Sequence, residues 1–277
     1  MMQKIIPHIF LTFMAGALAN CKIKIIKNFL INAFIRIYKP NLEDAINKDI
    51  NSYKSYNEFF TRKLAKGSRT IELSENILIS PVDGEIVDHG FIKDDKLIQA
   101  KKFTYKLKEL VGKDHQNKYE DGYFITIYLA PTDYHRIHCP WDGEIVDSNH
   151  LGSSLYSVNK KAQECIPNLY IKNERSVLHI ASNNLEYAVV SVGASVVGSI
   201  VPFWINDKEC SRKELVEEWK IGPLENTEVK KGDELAYFKM GSTVVLIFDN
   251  SDKIELDSLE ENKLVKFGNK LVAFKNI

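Results

Sequence analysis

Apolar positions along this chain change from a helical spacing near its beginning to short strand-like runs after residue 77. Apolar residues recur every three or four positions between residues 26 and 37, which predicts one apolar face of an α-helix. The members of that face are Ile26, Phe29, Leu30, Ala33, Phe34 and Ile37. Residues 41–66 are predicted to be helical and polar. Later runs rich in Val, Ile and Tyr predict strands, most clearly at 125–129, 187–192 and 244–248, and residues 208–220 predict one further helix.

These patterns predict an α+β fold in two parts. Residues 1–66 form an N-terminal region of amphipathic helices, and residues 67–277 form a mainly antiparallel β domain. Four scattered cysteines without a C-x-x-C pair favour neither a disulfide scaffold nor a zinc site, and they indicate a reducing compartment. No apolar run is long enough to predict a membrane-spanning helix.

Charge is balanced over the 277 residues, with 37 basic and 37 acidic side chains, but it is uneven locally. Residues 1–39 contain Lys and Arg and no Asp or Glu. A basic helix with an apolar face is typical of segments that lie on an anionic membrane surface. The alternative is an ordinary helix packed on the domain. The first 21 residues make a poor signal peptide, so we expect a cytoplasmic protein held peripherally at the cell membrane.

The stretch YFKMGSTVVLIF, residues 237–248, places Gly241 and Ser242 between two strand-like runs. A glycine in such a position often marks a turn, a bulge or a close approach of the backbone. The stretch is therefore either a hairpin turn or a place where the backbone itself reacts.

A short repeat, P-x-D-G-E-I-V, occurs at residues 81–87 and 140–146. The Asp-Gly pair favours a tight turn between extended segments. We interpret Asp142 as structural and Asp83 as a candidate functional residue.

The loop at residues 128–140 contains His135 and His138 close to an Arg and an Asp. Histidine serves as a general acid or base near neutral pH. The H-x-x-H pair suits a metal ion, but a third ligand is not evident nearby. Asp83, His138 and Ser242 together suit an acid–base–nucleophile set. Ser242 does not lie in the G-x-S-x-G turn of conventional serine hydrolases.

The chain resembles the phosphatidylserine decarboxylase family over residues 56–248. The resemblance rests on several motifs that occur together in the family's order. They are FFTR (59–62), PVDG (81–84), YHRIHCP (134–140), YSVN (156–159), NER (173–175), VGA (192–194), VGSI (197–200) and GST (241–243). The basic N-terminus also resembles the family's membrane-attachment region.

The resemblance implies that Gly241–Ser242 is a self-cleavage site. In the implied reaction, Asp83 supports His138, His138 takes the proton of Ser242, and the Ser242 oxygen attacks the Gly241 carbonyl carbon. The products are a large chain (1–241) and a small chain (242–277) that begins with a pyruvoyl group. That group replaces pyridoxal phosphate as the electron sink, and no metal is implied.

The implied activity is decarboxylation of phosphatidylserine to phosphatidylethanolamine through a Schiff base with the pyruvoyl group. His135 is the implied proton donor, with His138 as the alternative. The implied partners are phosphatidylserine in the membrane and the two chains of the precursor, with no nucleic acid. A homodimer is one option for the assembly.

Two other functions are consistent with parts of the sequence. The P-x-D-G-E-I-V copies and residues 229–235 are similar to β-hammerhead-like pieces of a biotinyl or lipoyl carrier, with Lys239 as the residue to be modified. A membrane-bound serine hydrolase that uses Ser242 is the third option.

Overall fold

A computed structural model describes residues 8–99, 102–112, 115–194, 200–204, 227–239, 242–249, 251–255 and 259–275. The predicted helix at 208–220 lies outside these residues, as does Gly241. Among the described residues, no helix is both long and apolar enough to cross a membrane. The α-helices are α1 (His8–Ala19), α2 (Lys24–Tyr38), α3 (Tyr56–Phe60), α4 (Leu107–Val111), α5 (Lys160–Cys165) and α6 (Leu169–Lys172).

Sixteen strands are formed by the described residues, and every pair of neighbouring strands runs antiparallel. The first eight are β1 (Ile77–Ile79), β2 (Gly84–Phe91), β3 (Lys96–Gln99), β4 (Phe103–Lys106), β5 (Tyr123–Leu129), β6 (Arg136–His138), β7 (Gly143–Leu151) and β8 (Arg175–Ala181). The others are β9 (Glu186–Gly193), β10 (Ile200–Pro202), β11 (Glu228–Val229), β12 (Glu234–Phe238), β13 (Ser242–Phe248), β14 (Ile254–Glu255), β15 (Leu264–Val265) and β16 (Lys270–Phe274). The three clearest predicted strands are confirmed as parts of β5, β9 and β13, and the fold is α+β-like.

The main element is an eight-stranded sheet with the order β11-β7-β8-β9-β13-β5-β2-β15. One face packs against two three-stranded sheets, β1-β16-β14 and β10-β12-β6, and the other against α4, α6 and the β3-β4 hairpin. Antiparallel sheets usually leave one face in water. Here both faces of the central strands are covered, which explains their continuous Val, Ile and Phe runs instead of an alternating pattern.

Helix α2 forms where the spacing predicted it, but its buried side differs from the predicted apolar face. The side chains of Ile31 and Phe34 pack in a small core with α3, and Lys27 is buried on the same helix with its Nζ donating to the Tyr53 carbonyl at 2.7 Å. Phe29 and Ile37, which belong to the predicted face, are 71% and 70% exposed. The prediction missed this because apolar residues occur all round the helix, so spacing alone did not choose the buried side.

The prediction of a helix over residues 41–66 is wrong for most of that range. Only a 3-10 turn at Ile50–Ser52 and the short helix α3 form there. Polar side chains bond to nearby backbone N–H groups instead: Asn41 accepts from Glu43, and Asp49 accepts from Asn51. Such local bonds compete with the helical ladder.

The two P-x-D-G-E-I-V copies occupy equivalent positions in two similar units. In the first unit, β1 and β2 associate with β16 and β15; in the second, β6 and β7 associate with β12 and β11. Gly84 pairs with Val265, and Gly143 pairs with Val229. Strands β2 and β7 also share a register shift at the same place in the motif. The repeat therefore marks a structural duplication.

A second repeat, absent from the sequence analysis, completes each unit. Residues 229–238 and 265–274 share the pattern V-K-x-G-[D/N]-x-L-x-x-F. Their glycines, Gly232 and Gly268, have φ angles of +93° and +88°. Glycine adopts this left-handed region without the steric cost that a side chain brings, so both turns depend on it.

Reciprocal backbone hydrogen bonds join the two units. The His138 N–H donates to the Pro81 carbonyl at 2.9 Å, and the Ile79 N–H donates to the Pro140 carbonyl at 3.1 Å. Ile79 thus holds in the first unit the place that His138 holds in the second. The histidine stands where the duplicated scaffold otherwise accommodates an apolar side chain.

We predict that Gly143→Ala destabilises the fold. A Cβ atom at Gly143 would lie 2.7 Å from the Ala181 carbonyl oxygen and 2.8 Å from Ile180 Cγ2, so backbone would have to shift. Overpacking of this kind costs about 1–3 kcal/mol. The measurement is the free energy of unfolding in urea.

Gly90→Ala in β2 is the matched control, because its new Cβ would meet only the Phe124 ring at an ordinary 3.4 Å. Equal unfolding midpoints for the two variants would contradict the prediction.

Candidate active site

Ser242 is the first residue of β13 and lies between two strands. It pairs with Leu129 of β5 on one side and Gly193 of β9 on the other. Its side chain is fully buried, and its Oγ has no hydrogen-bond partner among the described residues. A buried hydroxyl without a partner costs about 1–3 kcal/mol of desolvation. Within the described residues, the sheet therefore buries this hydroxyl without satisfying it.

Asn173 holds the end of β9 beside Ser242. Its Nδ2 donates to the carbonyl oxygens of Gly193 and Tyr156, both at 2.8 Å, and its Oδ1 accepts from the Tyr156 N–H at 3.0 Å. The Gly193 N–H donates to the Glu174 carbonyl at 2.8 Å. The Y-S-V-N and N-E-R motifs thus meet next to the serine, a positioning role that the sequence analysis did not assign.

His135 lies immediately before β6, next to Phe238, the last residue of β12. The Phe238 N–H donates to the His135 carbonyl at 2.9 Å, and Phe238 ends the strand that precedes Ser242. His135 Nδ1 lies 2.9 Å from the Asp133 carbonyl oxygen. A carbonyl only accepts, so Nδ1 carries the hydrogen and Nε2 carries a lone pair. That Nε2 is buried and has no hydrogen-bond partner among the described residues.

His138 lies three residues further along, about 10 Å in an extended strand. Its Nδ1 donates to the Gly232 carbonyl at 2.8 Å, and its Nε2 accepts from the Tyr134 hydroxyl at 3.0 Å. The ring stacks on Phe267 with 3.7 Å between ring centroids. Both ring nitrogens are therefore occupied.

Burial lowers the pKa of both histidines, because a charged imidazolium is poorly solvated inside the protein. The pKa of His135 falls to about 3, and nearby Arg62 contributes to that fall. The pKa of His138 falls to about 4, although the Asp83 carboxylate acts in the opposite direction. Both rings are therefore neutral at pH 7.

Asp83 is held by groups other than His138. Its Oδ1 accepts from the Phe267 N–H at 2.8 Å, and its Oδ2 lies 2.6 Å from Arg69 Nη2. Asp142 makes the same backbone bond in the other unit, to the Lys231 N–H at 2.7 Å. Asp142 is exposed and lies 3.7 Å from the exposed Lys230 ammonium, whereas the Arg69 partner of Asp83 is buried. Arg69 in turn pairs with Asp44 at 2.7 Å.

Asp83 and His138 thus both contact Phe267, Asp83 through the backbone N–H and His138 through the ring, and no direct hydrogen bond joins them. The expected chain of bonds from Asp83 through His138 to Ser242 is not formed among the described residues. Each group has another partner or, for Ser242, none. The sequence did not reveal Arg69, Tyr134 and Phe267 as the contacts of these groups, because those contacts depend on the fold.

A cleft of about 310 Å³ opens beside Asp83. Arg62, Arg69, Asp133 and Tyr134 line it. The Arg62 guanidinium is buried and donates to the Thr132 carbonyl at 3.0 Å. Burial raises the pKa of Asp133. Within the described residues, no group of three or more His, Cys, Asp or Glu side chains is arranged to hold a metal ion.

The lowered histidine pKa values predict a loss of stability in acid. Below an unfolded pKa of about 6.5, each histidine binds a proton in the unfolded chain but not in the folded one. The free energy of unfolding then falls by about 1.4 kcal/mol per pH unit and per histidine as pH decreases from about 5.5 to 4.5. We predict that His135→Gln makes the free energy of unfolding less dependent on pH, by about 1.4 kcal/mol per pH unit, the contribution of one histidine. The measurement is urea unfolding of the Ser242→Ala chain.

The comparison is made within the Ser242→Ala background, so that both proteins are single chains. Parallel slopes with and without His135 would show that this imidazole titrates normally in the folded protein.

Comparison with known proteins identifies the family. The family model described as phosphatidylserine decarboxylase matches residues 56–273, and a second model, described as PSD, matches residues 1–39. A curated relative from Dechloromonas aromatica is 36% identical over 276 residues, covering 99% of this chain and 97% of its own length. Another from Pseudoalteromonas translucida is 39% identical over 271 residues, with 96% and 94% coverage. A relative from Methylobacillus flagellatus is 37% identical over 255 residues, with 91% and 90% coverage.

Each of these three relatives is named phosphatidylserine decarboxylase proenzyme. The matched region contains β1 to β15 and all of β16 except its last residue, together with Asp83, both loop histidines and Ser242. Each alignment covers at least 90% of this chain and at least 90% of the relative. This chain belongs to the phosphatidylserine decarboxylase family.

Proposed function

We propose that this chain is a proenzyme that cleaves itself between Gly241 and Ser242 and then decarboxylates phosphatidylserine to phosphatidylethanolamine. The observation that carries the proposal is the Ser242 hydroxyl, which has no hydrogen-bond partner in the described part of the chain and begins a fully buried central strand. Folding would favour an apolar residue or a partnered one there. A serine is retained because its oxygen reacts.

The processing chemistry uses groups of this chain. The Ser242 oxygen attacks the Gly241 carbonyl carbon, the peptide C–N bond breaks, and the acyl group moves from nitrogen to oxygen as an ester. Loss of the Ser242 Cα proton breaks the Cβ–O bond, which releases a carboxylate at Gly241 and leaves dehydroalanine. Water then replaces its nitrogen, ammonia leaves, and a pyruvoyl group remains. This group supplies the carbonyl that accepts electrons when the serine head group loses CO2.

We propose that His138 accepts the Ser242 proton during cleavage, with Asp83 supporting the resulting charge, and that His135 donates the proton that replaces CO2. These roles come from the family motifs. The low pKa values of both rings support the neutral form at pH 7, which is the form that a base requires. The open Nε2 of His135 and the occupied Nε2 of His138 favour the exchanged assignment, in which His135 is the base.

We also propose that residues 1–66 hold the enzyme peripherally on the cytoplasmic face of the cell membrane. Helix α2 exposes a stripe of apolar side chains: Ile25 is 82% exposed, Phe29 71% and Ile37 70%. Basic residues flank them, and the region described from residue 8 to 39 carries no acid. Apolar contact and attraction to anionic lipid act together in such segments.

The finer description of the β domain also stays a proposal. We interpret the two P-x-D-G-E-I-V units as the β-hammerhead-like elements predicted from the sequence, and their matching strand registers support that interpretation. A homodimer remains a prediction.

Intact mass measurement tests the processing proposal. We expect two chains from the wild-type protein, one ending at Gly241 and one beginning with a pyruvoyl group at position 242. Ser242→Ala should give one uncleaved chain without decarboxylase activity. A cleaved and active Ser242→Ala protein would disprove the scheme.

The same measurement, combined with an assay of CO2 release, separates the two histidines. His138→Ala should stay uncleaved, whereas His135→Ala should be cleaved but turn over slowly. The reverse pair of results would assign the base to His135.

Liposome sedimentation tests the membrane proposal. Phe29→Glu should reduce binding to vesicles that contain phosphatidylglycerol, because it places a charge in the exposed apolar stripe. Leu264→Glu is the matched control, since Leu264 is 79% exposed on β15 and lies outside helix α2. Equal sedimentation of the two variants would argue against docking by the stripe.

A further inference from the structure

The FFTR motif at residues 59–62 has no role in the proposed processing chemistry, yet its second phenylalanine lies against a loop histidine. Phe60 ends α3, and its ring packs on the His135 imidazole with 4.2 Å between the ring centroids and 49° between the ring planes. Phe60 is 1% exposed, and His135 is fully buried. The two rings are therefore in direct contact in the interior of the protein.

The rest of the motif holds the same loop on either side of His135. The Thr61 carbonyl accepts a hydrogen bond from Arg136 Nε at 2.9 Å, and Arg62 Nη2 donates to the Thr132 carbonyl at 3.0 Å. One bond lies after the histidine in the chain and the other lies before it. The end of α3 and the loop are thus fixed relative to each other by hydrogen bonds as well as by packing.

One hydrogen bond alone does not fix the His135 ring. Its Nδ1 donates to the Asp133 carbonyl at 2.9 Å, and its Nε2 has no hydrogen-bond partner among the described residues. A ring held at a single nitrogen can swing about that bond. The Phe60 ring lies against the imidazole and limits this motion, so it restricts where Nε2 points.

Phe60 is itself held firmly enough to act as a support. Phe34 of α2 meets its ring edge-on, with 6.0 Å between the centroids, and the Tyr56 ring lies 6.1 Å away. A side chain enclosed by packed neighbours stays in one rotamer. The His135 ring therefore rests on the buried aromatic core of the N-terminal helices.

Phe60 also shields His135 from water. The loop residues before this histidine line one cleft, of about 310 Å³, and Arg136 after it lines another, of about 530 Å³. His135 between them is fully buried, with the Phe60 ring against it. Burial is the main cause of its low pKa, and Arg62 acts in the same direction. A smaller side chain at position 60 would leave a space beside the imidazole, close to both clefts, that water can enter.

We propose that Phe60 is a positioning residue, whose ring holds the His135 imidazole in one orientation and excludes water from it. The proposal rests on the proposed function, because it concerns a histidine that transfers a proton in that scheme. It gives the FFTR motif a physical role, since the motif ties α3 to the loop that carries this histidine.

Phe59→Leu is the matched control for Phe60→Leu. Phe59 is the preceding residue of α3 and is fully buried in the same aromatic core. Its ring lies 5.8 Å from the Arg62 guanidinium, whereas the Phe60 ring contacts His135. The control therefore reproduces the loss of core packing and any indirect effect through Arg62. If Phe60→Leu does not fold, Phe60→Met and Phe59→Met replace the leucine pair, because methionine fills irregular gaps better.

Histidine titration tests the proposal without a catalytic step. Both substitutions are made in the Ser242→Ala chain, the imidazole signals are followed by NMR, and His135→Gln assigns the signal. We expect the His135 pKa to rise by about one pH unit or more in Phe60→Leu, because the imidazolium gains water, and to stay unchanged in Phe59→Leu. The onset of the titration is sufficient for the comparison. Equal pKa values in the two variants would overturn the proposal.

The activity test uses chains with Ser242 intact and soluble short-chain phosphatidylserine, so that membrane binding does not contribute. His135→Ala first shows which step depends on this histidine, chain cleavage followed by intact mass or decarboxylation followed by CO2 release. We expect Phe60→Leu to slow that same step about tenfold or more, because a misplaced acid–base group transfers protons less efficiently. If the step is decarboxylation, kcat should fall with little change in KM. Phe59→Leu should slow the step by less than about twofold, since the His135 contact remains.

The two kinds of failure are distinguishable. A His135→Ala protein that is cleaved and turns over at the wild-type rate would count against the proposed function of that histidine. Equal rates of Phe60→Leu and Phe59→Leu would instead count against the positioning role of Phe60.

Discussion

The burial of β13 between β5 and β9 is the constraint on which the structure depends. All seven residues of the strand are buried, and each pairs on both sides. Such a strand has neither solvent nor a free edge to accommodate a polar side chain. Ser242 at its first position is therefore fixed by two neighbouring strands, and none of the described residues forms a hydrogen bond with its hydroxyl. Rigid placement of a reactive group is the general condition for chemistry that needs accurate alignment.

The duplication around this sheet gives two loops that share a backbone arrangement but carry different side chains. Both units use an aspartate to accept a backbone N–H, a glycine with positive φ, and a register shift in the long strand. The second unit places His138 where the first has Ile79, and the first unit pairs its aspartate with Arg69. The two units thus have the same backbone arrangement but different side chains, and reciprocal hydrogen bonds join their backbones.

The sequence predicted the elements whose burial follows directly from composition. Continuous apolar runs identified β5, β9 and β13, because a strand covered on both faces has few polar positions. Spacing was less reliable on α2, where apolar residues surround the helix and only the contact with α3 selects the buried side. It failed for residues 41–66, where side-chain bonds to the backbone outweigh helical propensity.

The sequence singled out candidate site residues but could not predict their geometry. Motif order singled out Asp83, both histidines and Ser242. Their partners are distant in sequence: Phe267 contacts both Asp83 and His138 from 184 and 129 positions away (267 minus 83, and 267 minus 138). The spacing of residues within a motif carries no information about such contacts. Asn173 was visible in the sequence, but its role depends on the strand register that brings Gly193 beside Ser242.

The placement of β13, β15 and β16 has a thermodynamic consequence for the cut protein. These three strands all follow Ser242, yet they pair with β5, β9, β2 and β1, which precede it. If the peptide bond before Ser242 is cut, the strands of the small chain stay paired with strands of the large chain. Noncovalent contacts alone then hold the two chains together. Refolding from the denatured state would then require two molecules to meet, and its yield would depend on concentration. The native strand pairing therefore forms most readily while the chain is still continuous. After cleavage, the lifetime of the folded protein is governed by its rate of unfolding.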